Sequence, residues 1–274
     1  MKSKHKQQTI QSVIWSLSEK FALYTIGLFT GIILARILLP EDYGLIGMTV
    51  VFFSIADAFV NGGFGAAYIQ KKEVSEIDAN TVFYSNLSIS IVFYLILWFL
   101  APLISRFFEQ EQLITLIRVM SLMIIINSFN IIQTAKLVRG LNFKKKAKWN
   151  LISTTVSGIT GIAAAYNGLG VWSLVIQRML NSIIVSIGLW STSKWKPKFL
   201  FSLDSFKQLF SFGGWLLASS IFRSISNNLY RLFIGKFFPA SELGFYTKAN
   251  QFQQLGSEKF SQSIQDVSFP ILSK

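Results

Sequence analysis

The side chains able to do chemistry in this sequence are charged groups embedded in apolar stretches. Arg223, Asn227 and Arg231 follow one another at i, i+4 and i+8, on one stripe of a helix. Asp57 has Ser54 and Asn61 on its face at i−3 and i+4. Glu19 and Lys20 are adjacent, and Arg118 and Arg178 stand singly. A charge at mid-bilayer costs about 2.5–3.5 kcal/mol on insertion scales, so each of these groups needs water, an ion or a partner. The arginines, with Lys20, suit an anion, because the planar guanidinium fork matches anionic oxygens. Asp57 and Glu19 are the candidate carboxylates. Structural readings stand beside these. Arg118 and Arg231 lie close enough to one face to snorkel, Glu19 and Lys20 can form a pair near the headgroups, and Asp57 can be satisfied by polar neighbours.

Other chemistry is excluded. Cysteine is absent and the single histidine is His5, in a polar tail. There is no HExxH, no phosphate-binding glycine loop, no nucleophile triad, and no long loop with paired carboxylates of the kind a membrane glycosyltransferase needs. No enzymatic activity, cofactor or metal site is expected.

The elements that position these charges are membrane helices. Half the residues (51%) are hydrophobic and only 14% are charged, where a soluble domain has about a quarter charged. A spanning helix needs roughly 20 mostly apolar residues. Stretches that qualify run at about 10–38, 44–69, 79–105, 113–135, 147–166, 170–192 and 206–237, joined by short connections. The fold class is therefore an all-α polytopic membrane protein. The basic N-terminus reads as part of a retained first span rather than a cleaved leader, since the apolar run behind it is long, contains Glu19 and Lys20, and lacks a small-x-small site.

Lysine and arginine give the orientation. With the N-terminus in the cytoplasm, inner segments carry Lys2, Lys4, Lys6, Lys71, Lys72, Lys136, Arg139, Lys144, Lys145, Lys146, Lys148, Lys194, Lys196, Lys198 and Lys207. Outer segments carry only Arg36, Arg106 and Lys236. This asymmetry accounts for most of the net charge of +13 without any nucleic acid.

The sequence also repeats. ARILLPEDYG at 35–44 returns as GKFFPASELG at 235–244, and at the same offset Trp15 meets Trp215 and Leu17 meets Leu217. Six spans separate the copies, so both enter the membrane in the same direction, the mark of a parallel repeat in two-lobed transporters. Residues 1–200 read as one six-helix lobe, and 201–274 as the start of a second. That start comprises span 206–237 and a polar eighth helix at 244–269, which crosses a bilayer only if its polar face lines a cavity or packs on protein.

LLPEDYG, GFGAAYIQKKEV, Phe83-Tyr84-Ser85-Asn86-Leu87, LGVWSLVIQ, WKPKFLFS and IGKFF…LGFYTKANQ…FPILSK resemble bacterial polysaccharide flippases, more specifically the lipopolysaccharide and colanic-acid exporter branch of that superfamily. The resemblance covers nearly the whole chain. It implies a MATE-like architecture of two six-helix lobes around a central cavity. It also implies movement of an undecaprenyl-diphosphate-linked oligosaccharide across the bacterial inner membrane by alternating access, in company with polymerase or glycosyltransferase partners. The arginines would then receive the diphosphate, and Asp57 and Glu19 would be candidates for a coupling-ion site. The polar pairs Asn86/Ser90, Asn127/Asn130, Asn150/Thr154 and Gln177/Asn181 would bind sugars or neighbouring helices. The family often shows Asn-x-Asp ahead of Ile-Gly, where this chain has Asn228-Leu229-Tyr230. It also usually continues through a full second lobe, so the chain alone is expected to insert without translocating. Alternatives are a cation or drug antiporter of the same fold, with a carboxylate-dominated cavity, and a non-transporting remnant.

The orientation is testable because the chain lacks cysteine. Lys145→Cys and Lys196→Cys should resist an impermeant thiol reagent in intact spheroplasts and react once the membrane is opened; labelling of either from outside reverses the topology.

Overall fold

The computed structural model describes residues 2–61, 63–140 and 142–253. Among them there are helices and no strands: α1 (Lys2–Ile37), α2 (Pro40–Asn61), α3 (Phe64–Gln70), α4 (Glu76–Phe108), α5 (Gln112–Ser128), α6 (Ile131–Arg139), α7 (Phe143–Tyr166), α8 (Val171–Thr192), α9 (Leu203–Phe237) and α10 (Ala240–Gln253). Of the expected polar eighth helix, residues 254–269 lie outside the described set.

Two expected spans, 44–69 and 113–135, are each broken in two. The first breaks at Gly63, a residue with weak helix preference. The second breaks after Ser128, where Asn127, Ser128 and Asn130 draw on the backbone: Ser128 Oγ donates to the Ile125 carbonyl at 2.8 Å, and Asn130 N to that of Asn127 at 3.0 Å. Five stretches are long and apolar enough to cross a membrane: Ser18–Ile37, Pro40–Gln70, Glu76–Phe108, Gln112–Arg139 and Val171–Thr192. Helices α7 and α9 fall short of that apolarity. Lysines open α7, and α9 carries Lys207, Arg223, Asn227, Asn228 and Arg231. Both pack on spanning neighbours, α7 on α1 and α8, α9 on α2 and α4.

The core follows from helical spacing. Leu113, Leu116, Ile117, Met120 and Ile124 bury one stripe of α5 against Leu97, Ala101, Ile104 and Phe108 of α4 and Ile46 and Met48 of α2. The opposite side of α4 presents Leu95, Phe99, Leu103 and Phe107 outward, as a lipid-facing surface does.

The basic connections gather at one end of the bundle. There Ser75 and Asp78 form a capping box that starts α4, and Lys71 Nζ lies 2.9 Å from Asp78. Lys198 Nζ lies 2.6 Å from Glu76. The Arg139 guanidinium donates to the carbonyls of Tyr68, Ile69 and Lys71 at 2.6–2.9 Å, satisfying the acceptors left where α3 ends. At the other end, Lys236 of α9 reaches Glu109 behind α4 at 3.0 Å.

The repeat is visible as geometry. Helix α1 ends at Ile37 and α2 starts at Pro40; 200 positions on, α9 ends at Phe237 and α10 starts at Ala240. The two copies touch reciprocally. A Cβ on Gly44 would lie 1.9 Å from the Ala240 carbonyl oxygen, and one on Gly244 would lie 1.8 Å from that of Pro40. Neither backbone oxygen can retreat as a flexible side chain would, so glycine is required at both positions.

Gly44→Ala and Gly244→Ala should each destabilise the bundle by about 1–3 kcal/mol or more through overpacking. Gly27→Ala, where a Cβ would meet nothing within 4 Å, should be neutral or slightly stabilising. Thermal unfolding of detergent-solubilised variants reads the difference, and equal behaviour of the three would show that the seam is loose.

Candidate functional site

A cavity of about 320 Å³ opens between α1, α2, α5, α7, α8 and α10. Its α1 wall is Gly27, Thr30, Gly31 and Leu34, so the Gly27-x-x-x-Gly31 pair serves as open space rather than as a helix contact. Helix α8 supplies Gln177, Arg178, Asn181 and Ser182, and α7 supplies Thr154 and Ser157. Helix α10 supplies Thr247, Lys248 and Gln251. These three hydrophilic residues of the polar segment thus face a hole and not lipid.

Lys248 is held over the Tyr43 ring, its Nζ 3.9 Å from the ring centroid and 3.3 Å from the Gly31 carbonyl oxygen. Tyr43 Oη and Thr247 Oγ1 are buried without a hydrogen-bond partner. Arg178 sits deep among the helices with its side chain open to the cavity. It lies within electrostatic range of both Lys248 and Arg231. A second cavity of about 230 Å³ shares Arg178 and Met123 with the first and adds Ser54, Asp57 and Asn127. Arg178 is thus the hinge between a mainly cationic chamber and a chamber holding one carboxylate.

Other candidate residues are engaged in helix packing or lie elsewhere. Glu19 is buried and accepts a hydrogen bond from Asn150 Nδ2 at 2.6 Å, joining α1 to α7. Lys20, next to it, is half-buried. Arg118 stacks on Trp98, 4.7 Å from the ring centroid. Arg231 donates to Asn228 Oδ1. Asn228 Nδ2 in turn donates to Ser54 Oγ at 2.9 Å, joining α9 to α2. Arg223 and Asn227 are exposed on α9 and line neither cavity. The Asn61 side chain lies outside the described set. Of the paired amides, Asn181 Nδ2 approaches Ser153 Oγ, Thr154 Oγ1 and Ser157 Oγ at 3.2–3.5 Å, an interhelical use. Ser90 likewise donates to Ser128 Oγ at 3.0 Å.

Lys248 and Asn228 were not among the site residues read from sequence. Lys248 sits in a stretch too polar for hydropathy to place, although that polarity in a repeated spanning element was itself the signal of a cavity. The choice of Asn228 over Asn227 turns on about 100° of helix rotation.

The family model described as "Polysaccharide biosynthesis protein" matches residues 33–274. The succinoglycan biosynthesis transport protein ExoT of Rhizobium meliloti is 27% identical over 260 residues, covering 95% of this chain and 53% of the relative. The teichuronic acid biosynthesis protein TuaB of Bacillus subtilis is 29% identical over 222 residues, 80% of this chain and 46% of its own. The lipopolysaccharide biosynthesis protein WzxC of Escherichia coli is 26% identical over 277 residues, 98% and 55% respectively. The chain therefore spans about half the length of the curated relatives it matches. An inward-facing multidrug resistance MATE family transporter of the MOP superfamily shares the fold, with a TM-score of 0.57 at 16% identity over 89% of this chain and 58% of that one.

The Ser54–Asn228 bond carries a measurable prediction. A double-mutant cycle with Ser54→Ala and Asn228→Ala should give a coupling of about 0.6 kcal/mol, the average for hydrogen bonds between membrane helices. Additive single effects in an unfolding titration would place the two side chains out of contact.

Proposed function

Since the chain belongs to the polysaccharide biosynthesis protein family, we propose that it forms the first six-helix lobe and the opening helices of a second lobe in a flippase. Residues 1–200 make the first lobe and residues from 201 onward begin the second. The cargo is an undecaprenyl-diphosphate-linked oligosaccharide, moved across the bacterial inner membrane by alternating access, with the N-terminus cytoplasmic. The protein acts as a carrier and makes or breaks no bond in its cargo.

The observation that carries this reading is the cation set of the main cavity. Arg178 and Lys248 line it, and Arg231 lies within electrostatic range of Arg178. Like charges held together inside a bundle repel, and an anion that enters between them removes that cost. A diphosphate fits, because the guanidinium binds its oxygens in bidentate fashion while the ammonium acts as a point charge. Thr154, Gln177 and Gln251 offer neutral donors and acceptors for the first sugar. Asp57, in the chamber that shares Arg178, is the candidate coupling-ion residue. Cations outnumber carboxylates in the cavity lining, which favours this reading over a cation or drug antiporter.

Binding to the purified chain is the direct test, with undecaprenyl diphosphate and inorganic pyrophosphate as probes. Arg178→Ala and Lys248→Ala should each weaken both by about 10- to 100-fold, the scale of a charged hydrogen bond. Arg178→Lys should lose less, and Arg223→Ala should change nothing. In a version extended through a complete second lobe, Arg178→Ala should abolish surface polysaccharide export. Unchanged pyrophosphate binding in the Arg178 and Lys248 variants rules this cavity out as the head-group site.

A further inference from the structure

The segment joining α8 to α9 has no part in the cavity, yet it is built with care. Trp195 is buried, its ring 5.7 Å from that of Phe83 and 6.5 Å from that of Trp190, and Lys136 Nζ lies 4.8 Å above it. Lys198 N donates to Asn80 Oδ1 at 2.7 Å, and Ser202 N donates to Thr81 Oγ1 at 3.1 Å. The Phe199 ring stacks 5.9 Å from that of Tyr84. These contacts fasten an extended strap across the first turns of α4, where that membrane span begins.

What the strap displays is unusual for a fastened segment. Phe199 is 97% exposed, and Leu200, Phe201 and Leu203 are exposed beside it. Lys194, Lys196, Lys198 and Lys207 are exposed on either side. Lys198 is paired with Glu76, and Asp78, which meets Ser205, is paired with Lys71; against the remaining Asp204, Lys194, Lys196 and Lys207 leave the patch cationic. Apolar rings among lysines, held rigidly at the end of a spanning helix, match a bilayer interface in two respects: rings favour the headgroup depth, and ammonium groups favour anionic phosphates. A soluble protein partner is the poorer fit, because the patch is continuous with the lipid-exposed flank of the bundle.

We propose that the strap of residues 194–207 is a binding surface for anionic phospholipid headgroups. Phe199 and Phe201 enter the interfacial layer, and Lys194, Lys196 and Lys207 select for negatively charged lipid. The anchored element is the connection from α8 to α9, so the lipid holds α9 at a fixed depth beside α2 and α4.

The test uses the whole chain in nanodiscs of phosphatidylcholine, with and without phosphatidylglycerol. Phe199→Cys, the single thiol in a chain that has none, carries a bimane reporter. Its emission should be blue-shifted, and it should be quenched by a nitroxide placed at headgroup depth. Native mass spectrometry should show phosphatidylglycerol retained over phosphatidylcholine. The triple variant Lys194→Gln, Lys196→Gln, Lys207→Gln should lose that preference by about tenfold or more, as should raised salt. The control triple Lys145→Gln, Lys146→Gln, Lys148→Gln removes as much charge from the start of α7, beside the half-buried Trp149, and should retain the preference. A water-like bimane spectrum overturns the proposal. So does equal retention of the two lipids, or an equal loss in the control triple.

Discussion

A guanidinium kept charged among membrane helices is the constraint on which the rest of this architecture depends. Arg178 lines both cavities, and satisfying it requires that space between helices that would otherwise close on one another. The space comes from Gly27 and Gly31 on α1, whose missing side chains leave nothing within 4 Å. Its walls come from the polar faces of α7, α8 and α10. The contact that holds α10 there sets backbone against backbone, at Gly44 and Gly244. Cavity and seam are therefore one design: glycine opens one side and closes the other.

The polar side chains within the bundle divide into two groups by what they touch. Glu19 with Asn150, Asn181 with the α7 hydroxyls, Ser90 with Ser128, and Asn228 with Ser54 join helices in pairs. In a medium where apolar surface gives helices little reason to associate, such bonds and close small-residue contacts hold the bundle together. Arg178 and Lys248 belong to the second group. Their surroundings are an aromatic face, a carbonyl, and empty space lined with hydroxyls and amides. A ligand replaces nothing structural when it meets them.

Sequence periodicity and hydropathy made the helices, their ends and the repeat legible, because burial in lipid imposes length and apolarity directly. Even the joint between the first two helices of each copy falls at the same offset of 200 residues. The site was less legible. Asp57 and Arg178 were readable as isolated charges, and they do line a common chamber. Arg118 and Glu19 looked alike in sequence, but a Trp98 ring and an Asn150 amide, both distant in the chain, are their neighbours. Hydropathy registers a charge without registering who stands opposite. The breaks at Gly63 and after Ser128 were hidden for the opposite reason, since a kinked span and a straight one have the same apolar length.

The seam between α2 and α10 also imposes an order on biosynthesis. Gly44 emerges from the ribosome 200 residues before Gly244. At about 5–20 residues per second, α2 waits roughly 10–40 s for the helix that will cover it. Through that interval its glycine groove and Tyr43 face lipid or the insertion machinery. The late helix then has to dock where no side chain fits between the backbones at Gly44 and Gly244. Assembly of this protein is thus a docking reaction between membrane-resident parts, and a bulkier residue at either glycine would stall it after both helices had already been inserted.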